Sequence, residues 1–310
     1  MEHDAKIYLA GHTGLVGSAL YRALVEAGFK NLITRRHYEL DLRRQYDVDS
    51  FFRHEQPEYV FLAAAKVGGI MANERFSADF ITDNLRIQTN VISTAARWHA
   101  KKLLFLGSSC IYPRDCPQPI KEDYLMTGPL ESTNSAYAVA KIAGIEMCRA
   151  YRKQHGFDAV AVMPTNLYGP GDNYDAECSH VIPGMIRRFH KAKITEAPSM
   201  VCWGTGTARR EFLFSEDLAR ACILLMHDYS NVALINIGCG EDLTIAQLAE
   251  LIREVVDYPG GIEWDCEMPD GTPRKLLDSS RILRTGWRPK VDLKSGLTIA
   301  YQDFLKRGNV

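Results

Sequence analysis

Short, wholly apolar runs alternate along this chain with longer stretches in which apolar residues return every three or four positions. The runs near 6–10 (K-I-Y-L-A), 31–34, 59–64, 102–107 and 158–163 are β-branched or apolar and are punctuated by Gly, Ser or Pro, as strands buried on both faces are. The stretches near 14–27, 44–55, 78–98 and 135–155 carry the helical period. This alternation predicts an α/β fold, a doubly wound parallel sheet covered by helices, with ligand at the carboxyl ends of the strands. Past Pro164 the alternation weakens. Residues 165–208 are rich in Gly, Pro, Asp and Asn, a helix near 215–228 and a strand near 233–237 read as a return to the sheet, and 239–310 form a smaller α/β segment. The expected organisation is a sheet domain of residues 1–164 and about 209–238, with a discontinuous substrate-binding lobe of about 165–208 and 239–310 and no internal repeat.

The first strand leads into A-G-H-T-G-L-V-G, which places Gly11, Gly14 and Gly17 in the turn and at the start of the following helix. Glycines there let the backbone turn tightly, approach a pyrophosphate and present helix N-terminal N–H groups to it. The spacing is one residue wider than the usual dinucleotide fingerprint, and the same glycines would also serve a turn without ligand. The strand before them and the helix after them favour a Rossmann-like dinucleotide site. Where a chain that prefers NAD would carry an acid for the ribose 2′-hydroxyl, this one has Arg35 and Arg36, with His37 behind them. Cations at that point favour a 2′-phosphate, so the expected cofactor is NADP(H).

Composition narrows the class without identifying it. Lys plus Arg total 37 against 38 for Asp plus Glu, so no basic tract offers itself to nucleic acid. No apolar run approaches the roughly 18 residues of a membrane span, and M-E-H-D-A-K lacks the layout of a signal peptide, so a cytoplasmic location and no membrane partner are expected. The 8 cysteines are scattered without C-x-x-C pairs, which fits small buried hydrophobes in a reducing compartment rather than a disulfide scaffold. Cys178 and His180 in E-C-S-H are poor zinc spacing, and no metal is expected.

The densest chemistry lies in mid-chain. Tyr137 and Lys141, four apart in Y-A-V-A-K, share one face of a helix, so an ammonium can sit beneath a phenol and ease its ionisation. Ser108 and Cys110 follow the strand near 102–107, and His180 stands downstream. A thiol and an imidazole titrate on either side of neutrality and can exchange protons with carbon acids.

Together the glycine run, Ser108 upstream of Tyr-x-x-x-Lys, P-T-N-L-Y-G-P and W-G-T-G-T-A-R-R-E-F-L-F resemble the extended short-chain dehydrogenase/reductases that act on nucleotide sugars. More narrowly, G-S-S-C-I-Y-P, K-V-G-G-I-M from Lys66 to Met71, N-L-Y-G-P-G-D-N-Y-D and P-D-G-T-P-R-K-L-L-D resemble the branch of that family that epimerises and then reduces GDP-4-keto sugars. The resemblance covers essentially the whole chain. It implies NADPH-dependent 3,5-epimerisation and 4-keto reduction of GDP-4-keto-6-deoxy-D-mannose, or the same chemistry on a related GDP-4-keto sugar such as a 6-deoxy-heptose, in a homodimer.

Residue roles follow from the same resemblance. Tyr137 protonates the developing alkoxide, Lys141 lowers the phenol pKa and reaches the nicotinamide ribose, and Ser108 adds a second hydrogen bond to the reacting oxygen. Cys110 and His180 serve as acid and base at C3 and C5. Around the cofactor the implied set is Gly11, Gly14, Leu15, Val16, Gly17, Arg35, Arg36, His37, Asp41, Leu42, Ala63, Leu106, Gly107, Ser108, Lys141, Pro164, Asn166, Leu167 and His180. Arg210 matches the family's diphosphate arginine and Asn166 its sugar-phosphate contact, while Arg188, the aromatic wall of Trp203 and Asp278 complete the substrate set. His37 departs from the pattern, since close relatives carry an additional basic residue there.

Overall fold

The chain alternates strand and helix from its first elements: β1 (Ile7–Ala10), α1 (Leu15–Glu26), β2 (Leu32–Ile33), α2 (Gln45–Glu55), β3 (Tyr59–Leu62), α3 (Ile70–Arg75), α4 (Ser77–Arg97), β4 (Lys102–Leu106), α5 (Ser135–His155) and β5 (Asp158–Pro164). It continues through β6 (Asn166–Tyr168), α6 (Val181–Ile194), β7 (Ser199–Trp203), β8 (Arg209–Phe214), α7 (Ser215–Asp228) and β9 (Ile235–Ile237). It ends with β10 (Asp242–Thr244), α8 (Ile245–Val256), β11 (Gly261–Asp265), β12 (Arg274–Lys275), α9 (Ser280–Arg284) and α10 (Leu293–Lys306). This is a computed structural model that describes residues 1–176, 178–268 and 270–308. Glu177 and Pro269, which open two of the motifs above, lie outside the described residues, as do the last two positions.

Six strands form one wholly parallel sheet in the order β2-β1-β3-β4-β5-β9. The order reverses between β1 and β3, which opens a crevice beyond the carboxyl ends of those strands. Strand alternation divides the core in two. Tyr8, Val60, Leu62, Leu103 and Phe105 pack under α2, α4 and α5, while Ile7, Leu9, Phe61, Leu104 and Val162 pack under α1 and α7. Each such fully buried side chain contributes roughly 1.5–3 kcal/mol of hydrophobic stabilisation. Among the described residues no helix is long and apolar enough to cross a membrane, and all eight cysteines are free.

A second, smaller sheet is built around β8, which pairs antiparallel with β10 and parallel with β12 and β6. A parallel β7–β11 pair stands beside it. The strand at 209–214 thus pairs in the second sheet and not in the large one, and the chain rejoins the helical layer of the large sheet at Ser215. The Gly- and Pro-rich stretch is also shorter than its composition suggests. From Val181 the apolar residues Ile182, Met185, Ile186 and Phe189 return at helical spacing and bury one face of α6 against α8 and β7.

The loop into α6 carries a buried, half-satisfied carboxyl. Asp172 is 7% exposed, its Oδ1 accepts the Asn173 N–H at 2.8 Å, and its Oδ2 has no partner. Burial pushes the carboxyl from 3.8 up to about 7, and the nearby Asp303 carboxylate adds to the push while Arg307 opposes it. The folded chain therefore holds a proton that the unfolded chain has released over that interval, so this group's contribution to stability falls as pH rises from about 4 to 7 and stays lost above. Asp172→Asn should flatten that slope and raise the urea midpoint relative to the parent at pH 8. Parallel midpoint-against-pH curves for parent and variant would exclude Asp172 as its source.

Candidate active site

The glycine turn sits at the crevice mouth and is closed by backbone contacts alone. A Cβ on Gly17 would lie 1.9 Å from the Gly11 carbonyl oxygen, and one on Gly11, whose φ is +88°, would lie 2.7 Å from the Ala64 nitrogen. Only hydrogen atoms fit at these two places. Gly14 is the N-cap of α1 and supplies no side-chain cap, and Leu15 and Val16 open the helix. The helix N-terminus is therefore left to an external anion. His12 in the same turn has a buried Nδ1 without a partner. Ala63 follows the neighbouring strand β3 directly, its N–H donating to the Ala10 carbonyl at 3.1 Å.

The two arginines differ. Arg35 is committed, with its guanidinium on Glu55 and on the Thr34 carbonyl (2.8 Å) and 5.5 Å from the Phe51 ring centre. The Arg36 side chain makes no ion pair among the described residues and lies close enough to His12 to help depress its imidazole, after burial. Asp41 clamps Arg43 through two bonds of 2.9 Å and stands 3.7 Å from the exposed His37. Leu42 is buried, its carbonyl taken by Asn90 at 2.9 Å. Glycine cradle, bare helix end, orphan imidazole and free Arg36 together fit a dinucleotide with an extra phosphate.

The carboxyl end of β4 holds the reactive side chains. Gly107 donates its N–H to the Val162 carbonyl at 2.9 Å, and Ser108 then turns its Oγ to within 2.6 Å of Cys110 Sγ and within hydrogen-bonding reach of the Tyr137 phenol. The Tyr137 ring stands edge-on to Phe80 of α4, with centres 6.4 Å apart. Lys141 is 4% exposed, donates to the Leu106 carbonyl at 2.7 Å, and lies 4.8 Å from the Phe105 ring centre and 5.7 Å from that of Tyr137.

These contacts correct one expectation. No hydrogen bond joins Lys141 to the phenol oxygen, and the phenol is raised above its ordinary range by burial first and by Cys110 second, with only the Ser108 hydrogen bond opposing. The lysine itself is pushed down to about 8 by burial.

His180 is the N-cap of α6, its carbonyl taken by the Gly184 N–H at 2.9 Å. The residue is exposed at the surface, and desolvation by the protein around it lowers its imidazole below the ordinary value. The loop before it is pinned to K-V-G-G-I-M, where the Gly69 N–H donates to the Cys178 carbonyl at 3.1 Å. Pro164 closes β5, and Asn166 and Leu167 begin β6, with Asn166 Nδ2 donating to the Glu211 carbonyl at 2.8 Å.

In the smaller lobe the Arg188 guanidinium lies 5.8 Å from the ring centre of the half-exposed Trp203. Arg210 lies across from Asp270, whose carboxylate also takes the Thr205 N–H and hydroxyl at 2.7 Å each and so ties the loop after Trp203. Asp278 is placed elsewhere, capping the backbone and hydroxyl of Ser280 at the start of α9. The carboxylate facing Arg210 is Asp270, at the other end of the same motif, and sequence spacing gave no means to choose between them. Lys275 and Asn134 are further residues that the sequence alone does not single out. Both line a pocket with Cys110, and the Asn134 Oδ1 is buried without a partner.

Sheet order, glycine cradle and the Ser–Tyr–Lys constellation define an extended short-chain dehydrogenase-like chain. Residues 7–238 match the model of the NAD dependent epimerase/dehydratase family, and the chain belongs to that family. More particularly, it is 58% identical over 305 residues to GDP-L-fucose synthase 1 of Arabidopsis thaliana, covering 98% of this chain and 94% of that protein. Among solved structures it is similar to a GDP-6-OMe-4-keto-L-xylo-heptose reductase from C. jejuni, with a TM-score of 0.94, 37% identity and 99% coverage of both chains. It is likewise similar to a GDP-L-fucose synthetase from Naegleria fowleri bound to NADP, with a TM-score of 0.93, 28% identity, and 100% and 95% coverage.

The unequal arginines give a test. Arg36→Ala should weaken NADPH binding about tenfold to a hundredfold and leave NADH nearly unaffected, through loss of a charge-assisted hydrogen bond of roughly 1.5–3 kcal/mol. Arg35→Ala should act mainly on stability through the orphaned Glu55. Fluorescence titrations of both cofactors with both variants decide the matter, and equal losses for NADPH and NADH would remove Arg36 from the 2′-phosphate.

Proposed function

We propose that this chain is an NADPH-dependent enzyme that epimerises C3 and C5 of GDP-4-keto-6-deoxy-D-mannose and reduces its C4 ketone, giving GDP-L-fucose. The observation that carries the reading is the 2.6 Å contact between Ser108 and Cys110, with the Tyr137 phenol near the same hydroxyl. A ketone held there meets the donors of a reductase and the thiol of an epimerase at once. Gly11, Gly14, Gly17 and Arg36 would hold NADPH, which supplies the hydride when bound.

Ser108 and Tyr137 hold the C4 oxygen and polarise the carbonyl, which acidifies the protons on C3 and C5. Cys110 and His180 exchange those protons with solvent from opposite faces of the ring. The buried phenol of Tyr137 is protonated at neutral pH and gives its proton to the alkoxide formed on reduction. Lys141 then offsets the charge left on the phenolate and orients the nicotinamide ribose. Arg188, Trp203 and Arg210 hold the GDP portion, with the two guanidiniums toward the diphosphate. A cytoplasmic homodimer belongs to the same proposal, supported by the unpaired cysteines and the family resemblance.

Two sets of variants test the division of labour. Tyr137→Phe should bind NADPH yet lose reduction by several orders of magnitude. In deuterated buffer with keto-sugar and NADPH, Cys110→Ser and His180→Gln should stall deuterium uptake at C3 and C5 and release partly epimerised or unepimerised 4-reduced GDP-sugars. Doubly deuterated GDP-L-fucose from either variant at the parent rate would show that another residue is the base.

A further inference from the structure

The His180 imidazole makes no hydrogen bond among the described residues, so its backbone must aim it. On the far side that backbone is held by α6, where the Gly184 N–H donates to the His180 carbonyl at 2.9 Å. On the near side the loop reaches Gly69, whose N–H donates to the Cys178 carbonyl at 3.1 Å. A Cβ on Gly69 would lie 2.9 Å from the Ser179 carbonyl oxygen, closer than side-chain carbons approach backbone. The φ of Gly69 is −66° and its ψ 179°, values open to any residue. Glycine is therefore required here by the approach of the loop and not by the turn.

The segment that carries Gly69 is itself tied down. Buried Asn84 of α4 clamps Lys66 from both sides, its Oδ1 accepting the Lys66 N–H and its Nδ2 donating to the Lys66 carbonyl, both at 2.9 Å. Buried Asn73 of α3 donates to the Gly68 and Gly69 carbonyls at 2.8 and 3.0 Å. Two buried amides thus satisfy the backbone of a stretch that belongs to no strand or helix. Just upstream, the Ala64 nitrogen stands 2.7 Å from where a Gly11 Cβ would lie. One strap therefore runs from the glycine cradle to the loop before His180.

We propose that Gly69 is a positioning residue for His180, fixing the 178–180 loop against the strap so that the imidazole reaches one face of the sugar ring. The idea rests on the proton-transfer role given to His180 above and says what sets its reach. Proton transfer at carbon needs donor and acceptor aligned, and a misplacement of about 1 Å can cost about a hundredfold in rate. The neighbouring Gly68 serves a different contact, since its Cβ would meet the Ala72 and Phe80 side chains, at 3.0 and 3.1 Å, and not the His180 loop.

The test compares Gly69→Ala with Gly68→Ala in the full-length protein. With NADP⁺ bound and the histidines labelled with ¹³C, the ring signal that His180→Gln removes from the NMR spectrum reports the imidazole. Gly69→Ala should move that signal, and Gly68→Ala should leave it in place. With keto-sugar and NADPH in deuterated buffer, Gly69→Ala should lower deuterium uptake about tenfold to a hundredfold at the carbon that His180→Gln also loses. NADPH affinity should stay at the parent value, and 4-reduced sugar should still form. In the His180→Gln background Gly69→Ala should add no further loss, because the residue it acts through is gone. Should Gly69→Ala not fold by circular dichroism, Asn73→Ala, which frees the Gly68 and Gly69 carbonyls, carries the same expectation in milder form. An unmoved His180 signal, parent-like exchange in the folded variant, or a further loss in the double variant overturns the proposal, as does equal movement of the signal by Gly68→Ala. A moved signal in a protein whose parent form exchanges no deuterium into the keto-sugar would uphold the positioning of His180 and reject the proposed reaction instead.

Discussion

A single buried ammonium sets the geometry of the reactive end of this sheet. Lys141 leaves water at a cost large enough to bring its pKa down to about 8, and the Leu106 carbonyl at 2.7 Å together with the face of Phe105 is what it receives in exchange. That bond lashes the second turn of α5 to the last residue of β4. Tyr137 lies one helical turn earlier, and Ser108 lies two residues beyond Leu106, so the same contact that neutralises the cost of burying the lysine fixes phenol against hydroxyl. The approach requires Gly144, where a Cβ would lie 2.4 Å from the Phe105 ring. It is reinforced by Gln88, whose amide donates to the Ala140 carbonyl at 2.5 Å from α4.

The smaller sheet is coupled to this frame through β8. Glu211 on that strand has no exposed surface, and its carboxylate takes the Gly240 N–H at 2.7 Å and the Leu277 N–H at 3.1 Å. Its carbonyl takes the Asn166 amide, one residue after β5 has handed the chain to β6. One residue, through its carboxylate and its carbonyl, thus joins the loops after β9 and β12 to the junction of the two sheets. The strands that present Arg210 and Lys275 are anchored at their base, so those cations are aimed by backbone pairing rather than by flexible loops.

The large sheet was legible because its strands are buried on both faces and read as continuous apolar runs, and because its helices carry clean amphipathic spacing. The glycine turn was legible for a different reason, since close backbone approach excludes every other residue. What the sequence obscured was long-range pairing. Nothing local distinguishes the strand at 209–214 from a seventh strand of the large sheet, and only its pairing with β6, β10 and β12 assigns it. The same limit explains Asp278 and Asp270, two carboxylates in one motif separated by a strand that the sequence shows as a mere Arg–Lys pair. Arg35 and Arg36 likewise read alike until Glu55, one helix away, is seen to occupy the first.

The Tyr–Lys pair shows where local spacing is right about proximity and wrong about energetics. Four residues on a helix do bring phenol and ammonium together, yet the ammonium meets the ring rather than the oxygen, and desolvation dominates both groups. For the proposed chemistry that outcome is useful. Burial keeps the phenol protonated at neutral pH, so it remains a hydrogen-bond donor while a thiol and an imidazole work on the ring.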